Sequence, residues 1–283
     1  MKIRPFLVSI LLYSCVDTPK TLPVVFYFPH NLKEVSAVEV PEKSGLIWVC
    51  EDSGNKPELY ALDAEGKIVN TVTIKNTDNN DWEDLTSDQD GNLYIGDFGN
   101  NDNNRENLAI YEISASDLTK SDAAIAKKIE FYYPEQKDFP PKKSQRFYDC
   151  EAFFYYKDNF YLFTKNRSSK FDGTTMLYKV ANKTGHNPAQ LIGKFKTCDE
   201  FRKCAITSAD ISPDGKIVIL LSCAKAWLFE NYKNDDFLNG KVREIDLQDY
   251  TQKEGIGFLN NSEVYISDER EKKIGGKLYK LKL

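Results

Sequence analysis

The sequence predicts an all-β protein, a β-propeller of five blades, each a four-stranded antiparallel sheet. Three observations carry this reading. Strand-like strings recur along the whole chain between Asp-Gly and Asn-Asn turn signals, while helix-period patterns are scarce. A paired motif returns five times, at intervals of roughly 45–70 residues, which is the spacing of a radial repeat. The last unit is one strand short, and an unused strand-like string stands near the N-terminus.

The chain opens on "MKIRPFLVSILLYSC", with Lys2 and Arg4 ahead of the apolar run Phe6 to Tyr13. That is a charged n-region, a short h-region and a cleavage site, too short to be a permanent bilayer span. The tetrad Leu12-Tyr13-Ser14-Cys15 resembles a bacterial lipobox, although Tyr13 is an unusual occupant. The resemblance implies removal of residues 1–14 and lipidation of Cys15, which would tether the protein to a membrane. Val16, in place of aspartate, favours the outer membrane. A plain signal peptide with an incidental cysteine is the alternative. Residues 15–21 then read as a linker and 22–283 as a single propeller domain.

The repeat has two halves. The first is "KEVSAVEV", "NDWEDLTS", "YDCEAFFY", "ITSADIS" and "QKEGIGF", aligned so that Ser36, Glu83, Glu151, Ser208 and Glu254 share one position. Glu34, Asp81, Asp149, Ile206 and Gln252 stand two residues earlier. The second half is "LIWVCEDSGN", "NLYIGDFGN", "NFYLFTKNR", the more apolar "KIVILLSCAKAWLFE" and "SEVYISDER". Aligned through Gly54 and Gly99, it sets Asp52, Asp97, Lys165 and Asp268 in register. Further strands follow in each unit: "ELYALDA" and "KIVNTVTI", "LAIYEIS" and "KKIEFYYP", "TMLYKVA" and "QLIGKFK", "AWLFE" and "KVREIDLQ". The fifth unit has only "GKLYKLKL", so "LPVVFYF" at 22–28 is expected to complete it and close the ring, leaving no exposed edge. A sixth blade hidden in 185–205 is the alternative.

In such a meander the start of the first strand and the end of the second lie on one edge. Glu34, Glu83, Glu151 and Glu254 should therefore converge near the central channel, with Asp97 and Asp268 beside them. Like charges gathered in a cleft raise one another's pKa or recruit a cation. Calcium suits this oxygen-rich setting. Arg105, Lys165, Arg167 and Arg270 follow the second strands and would rim the same mouth, so that calcium could hold a phosphate or an anionic sugar there. The competing reading makes these cations structural partners of the acids.

Composition removes other plans. The formal charge of −5 argues against nucleic acid. With only His30 and His186, a multi-histidine metal site is excluded. There is no GxSxG elbow and no phosphate-binding glycine loop. A carboxylate pair for glycoside hydrolysis stays open, since Glu83, Glu151 and Glu254 face one space. Trp82, Phe98, Phe147 and Tyr148 would either stack on sugar rings or pack between blades. Cys198 and Cys204 could close a small disulfide in an oxidising compartment, and Cys50, Cys150 and Cys223 read as small buried residues.

The stretches "NDWEDLTSDQDGNLYIGDFGNNDNNR", "YDCEAFFYYKDNFYLFTKNR", "SADISPDGK" and "KEGIGFLNNSEVYISDER" resemble a group of secreted or lipid-anchored bacterial β-propellers. These are similar at a distance to phytase-like and SMP-30/strictosidine-synthase-like propellers. The resemblance runs from Glu34 to the end and implies a divalent metal held by Glu34, Glu83, Glu151 and Glu254. Ser208 and Ile206 depart from that pattern in the fourth unit. Two functions follow as expectations: a monomeric, membrane-anchored binding module for a glycan, small molecule or protein, or a calcium-dependent hydrolase of phosphate esters, lactones or glycans.

Overall fold

The computed structural model describes residues 21–283; Cys15 and the rest of the lipobox lie outside the described residues. Five antiparallel sheets stand around a central channel. Their innermost strands are Val35–Glu39, Trp82–Ser87, Asp149–Tyr156, Ile206–Ile211 and Lys253–Asn260. The expected blade count of five holds. The stretch 185–205 forms no further blade. It gives the outer strand of blade three, Gln190–Lys196, and a short strand, Gly185–Pro188, that runs parallel to the edge of blade two. The segment Asp122–Ala124 covers the edge of blade one in the same way. Blades one and two thus each borrow a cover for the outer edge from the blade that follows.

Ring closure follows the expected route. Val24–Tyr27 pairs antiparallel with Lys277–Lys282, and its Phe26 is buried on the core side together with the following Phe28. Helix is confined to single turns, and no helix among the described residues is long and apolar enough to cross a membrane.

The blades hold together through two kinds of contact. Between sheets lie apolar seams, such as Phe98, Phe131, Phe153 and Tyr178 between blades two and three. Trp82 and Phe98 are fully buried in such seams, so packing, not ligand stacking, is their role. Phe147 and Tyr148 are partly buried against the same seam.

The second contact is polar and lines the channel. An innermost strand has one unpaired edge, and its buried N–H groups need acceptors. For blades three and five the preceding blade supplies them at alternate residues. Asp84 and Thr86 accept from Phe153 N and Tyr155 N at 3.1 Å each. Ser208 and Asp210 accept from Ile256 N and Phe258 N at 3.1 and 2.7 Å. Ser208 Oγ also donates to the Asp84 carboxylate at 3.1 Å, so one acid and one hydroxyl tie four blades together at the waist of the channel. The waist divides an upper mouth, at the starts of the inner strands, from a lower mouth at their ends.

Candidate metal and ligand site at the upper mouth

In every blade the inner strand carries one extra residue near its start. These bulged residues are Ser36, Glu83, Glu151, Thr207 and Glu254. A bulge re-aims its side chain out of the sheet. The three glutamates face one space, where burial and their mutual charges act on all of them. The two hydroxyls instead donate to the neighbouring inner strand, Ser36 to Trp82 O at 2.8 Å and Thr207 to Lys253 O at 2.7 Å. Blade four therefore departs from expectation: Thr207, not Ser208, holds the repeat position. Two adjacent hydroxyl residues look alike in sequence, and only the ladder register separates them.

The second strands differ by one residue from the expected alignment. Opposite the residue before each bulge stand Glu51, Asp97, Thr164, Ser222 and Asp268. All five side chains accept backbone N–H groups: from Lys33, Asp81, Met176, Lys225 and Lys277 in turn. Asp97 also takes Asn80, Arg105 and Tyr111, and Asp268 takes Tyr279. Both aspartates are fully buried and fully engaged, so they brace strand ends and do not join the mouth. The next residue in each blade is Asp52, Phe98, Lys165, Cys223 or Glu269. Side chains alternate along a strand, so this one-residue step changes the face. Gly54 and Gly99 sit in loops of different length and gave a misleading anchor.

The mouth itself is built from Asp52, Asp81, Glu83, Glu151, Lys165, Arg167, Glu254 and Glu269. Asp52, Asp81 and Glu83 bring one oxygen each to within 4.8 Å of one another. A β-carbon at Gly99 would collide with the Asp81 and Glu83 carboxylates, so glycine lets the loop close over them. Burial, then the Asp52 charge, pushes Asp81 up to about 6. Burial and the charges of Glu151, Asp52 and Asp81 raise Glu83 well above the carboxylate range. Glu254 rises to about 7 and Glu269 to about 8, each chiefly through burial.

Glu151 is different. Burial works against its charge, but Lys165 at 2.8 Å and Arg167 at 2.7 Å outweigh that and hold its carboxyl low. Arg167 also grips Asp149 at 2.5 Å. The mouth thus has an ion-paired side at blade three and an unneutralised acidic side at blades one and two.

The remaining expected residues lie around or outside it. Glu34 is exposed and accepts Asn55 Nδ2 at 2.7 Å. Arg105 binds Asp97 and Gly99 O and so anchors the loop behind the acids. Arg270 turns to His30 and Phe28 O, at the seam with the N-terminal strand. Glu269 was missed because the alignment stopped at its neighbour. The Cys198–Cys204 disulfide forms and holds Phe201, whose ring lies 5.8 Å from the Arg167 guanidinium.

Fold and site together define a five-bladed β-propeller with an acidic channel mouth. No family model matches the sequence, and no curated protein matches it. Solved structures match in shape. The PQQ-bound aldose sugar dehydrogenase of Streptomyces coelicolor aligns with 93% of this chain and 97% of its own, at TM-score 0.52 and 10% identity. A gluconolactonase of Xanthomonas campestris aligns with 88% of this chain and 72% of its own, at TM-score 0.47 and 11% identity. The Dos1 propeller aligns with 83% of this chain and 53% of its own, at TM-score 0.42 and 14% identity. At these identities the likeness is one of fold.

Proposed function

We propose that the chain is an envelope-anchored binding propeller whose upper mouth takes a calcium ion and, through it, a phosphate or an anionic sugar. The observation that carries this is the Asp52–Asp81–Glu83 group, three carboxylates within 4.8 Å of one another and, among the described residues, without a cation as hydrogen-bond partner. Three such charges cannot all ionise side by side in a buried place, and a divalent cation relieves them. Carboxylate oxygens are the ligands calcium prefers. When bound, the ion would supply an electrophilic centre at the mouth, with Lys165 and Arg167 beside it as further anion-binding groups. The Cys198–Cys204 disulfide supports an oxidising compartment, in keeping with a lipid anchor on Cys15.

Calorimetric titration tests the metal. One calcium should bind per chain, raising stability by ~2.7 kcal/mol at a hundredfold excess over its Kd. Asp52→Asn should weaken binding at least tenfold; unchanged calcium affinity in that variant sinks the proposal. A second reading, a calcium-dependent hydrolase, is favoured by Glu254 and Glu269, whose carboxyls near neutrality suit a general base. Turnover of lactones or phosphate esters that calcium restores after chelation would select it.

A further inference from the structure

The opposite end of the channel has features that the upper mouth does not explain. A cavity of roughly 600 Å³ opens there, of the size that accepts a small molecule. Glu39, at the end of the first inner strand, forms part of its wall. It occupies the repeat position of Thr86 and Asp210, which serve the neighbouring blade as acceptors. Glu39 does this with one oxygen only: Oε1 accepts the Ser87 hydroxyl at 2.6 Å. Its other oxygen, Oε2, is buried without a partner among the described residues, on a residue only 6% exposed. Burial, then the Asp210 charge, pushes the Glu39 carboxyl well above the usual carboxylate range, and a cation brought beside the two acids would offset both costs.

The surroundings say what kind of donor. Asp210 lies in the same wall, and Lys157 is the one basic residue of the lining. Lys157 pairs with no acid among the described residues, and its ammonium rests 4.8 Å over the Tyr156 ring, so the acids of the wall are left without a cation. Tyr155, Tyr156 and Phe258 add apolar wall. A bare metal ion fits poorly. Among the described residues only the upper mouth gathers three acidic ligand atoms within 4.8 Å. The lower cavity also far exceeds an ion in volume.

We propose that the lower mouth binds a small organic cation bearing a primary ammonium group, with Glu39 and Asp210 as charge partners and Tyr155 and Tyr156 as walls. The ammonium would donate to Glu39 Oε2, and the alkyl part would lie along the aromatic rings.

Titration with 1,4-diaminobutane tests this, with butane-1,4-diol as the uncharged counterpart. The diamine should bind saturably and the diol should not. Glu39→Gln should lower diamine affinity about tenfold, the worth of one charge-assisted hydrogen bond. Should that variant fail to fold, Tyr156→Leu replaces it, with a loss of several-fold expected. Glu83→Gln, at the other mouth, locates the ligand: binding retained there supports the lower site. Absence of diamine binding, equal binding of the diol, unaltered affinity in Glu39→Gln or Tyr156→Leu, or loss only in Glu83→Gln would each overturn the proposal.

Discussion

Glu83 and Glu151 occupy the same bulge in adjacent blades, yet only Glu151 has its charge answered, by Lys165 at 2.8 Å and Arg167 at 2.7 Å. The two glutamates should therefore respond oppositely to loss of charge. Glu83→Gln removes repulsion from Asp52, Asp81 and Glu151 and is expected to raise the melting temperature in chelator. Glu151→Gln leaves buried cations under-paired and should cost roughly 3 kcal/mol. Thermal melts of both variants decide it, and shifts of the same sign would show that position within the bulge matters more than charge balance.

The same acids set a pH dependence. Asp81, Glu254 and Glu269 have folded pKa values of about 6, 7 and 8, all above those of the unfolded chain. Between the unfolded values and pH 8 the folded state holds more protons, so stability falls as pH rises. The contribution is complete below about pH 4 and lost through pH 6–8. In chelator the protein should be more stable at pH 5 than at pH 8, each unit by which a folded pKa exceeds pH 5 being worth up to about 1.4 kcal/mol. Glu151, held low, runs the other way and loses its contribution only as acid protonates it. Calcium should flatten the neutral part of the profile. Denaturant melts across that range, with and without calcium, provide the measurement, and rising stability from pH 5 to 8 in chelator would contradict the assignment.

The fold was legible because its signals are local. Turn pairs such as Asp90-Gly91 and Asp214-Gly215, strand strings and the missing fifth-blade strand all stand in the sequence itself. The three channel glutamates were legible too, since the bulge recurs with its acid. What was hidden is register. Nothing in "GDFGN" against "CEDSGN" shows that Asp97 matches Glu51 and not Asp52. That single step separates a buried brace from a mouth residue. The lower mouth was hidden for another reason. Glu39 and Asp210 lie far apart in sequence, and only closure of the ring brings them to one cavity.

The proposed envelope anchor rests on the sequence Leu12 to Cys15 alone and is tested apart from the fold. Cys15→Ser should move the protein from the membrane fraction to soluble material or unprocessed precursor. Fractionation with antibody detection reads this directly. Normal processing with unchanged membrane association would remove lipidation as the means of attachment.

Ring closure gives the last prediction. Among the described residues Val24–Tyr27 is the only partner on the outer edge of Lys277–Lys282, so it completes blade five from the opposite end of the chain. Leu22, Phe26 and Phe28 are buried by this arrangement, and Phe26 packs against Gly66 of blade one. Each such side chain is worth ~1.5–3 kcal/mol of burial. Deleting residues 22–28 should therefore cost on the order of 5 kcal/mol or more and bare an apolar strand edge that invites aggregation. Phe26→Ala is the milder test, because it keeps the backbone ladder and removes one ring; a loss of ~3 kcal/mol is expected. Supplying the excised strand as a free peptide should restore the melting temperature of the deleted chain, since only the covalent link is then missing. A deletion variant that melts like the parent, or a peptide without effect on a folded remnant, would show that the ring does not depend on this strand.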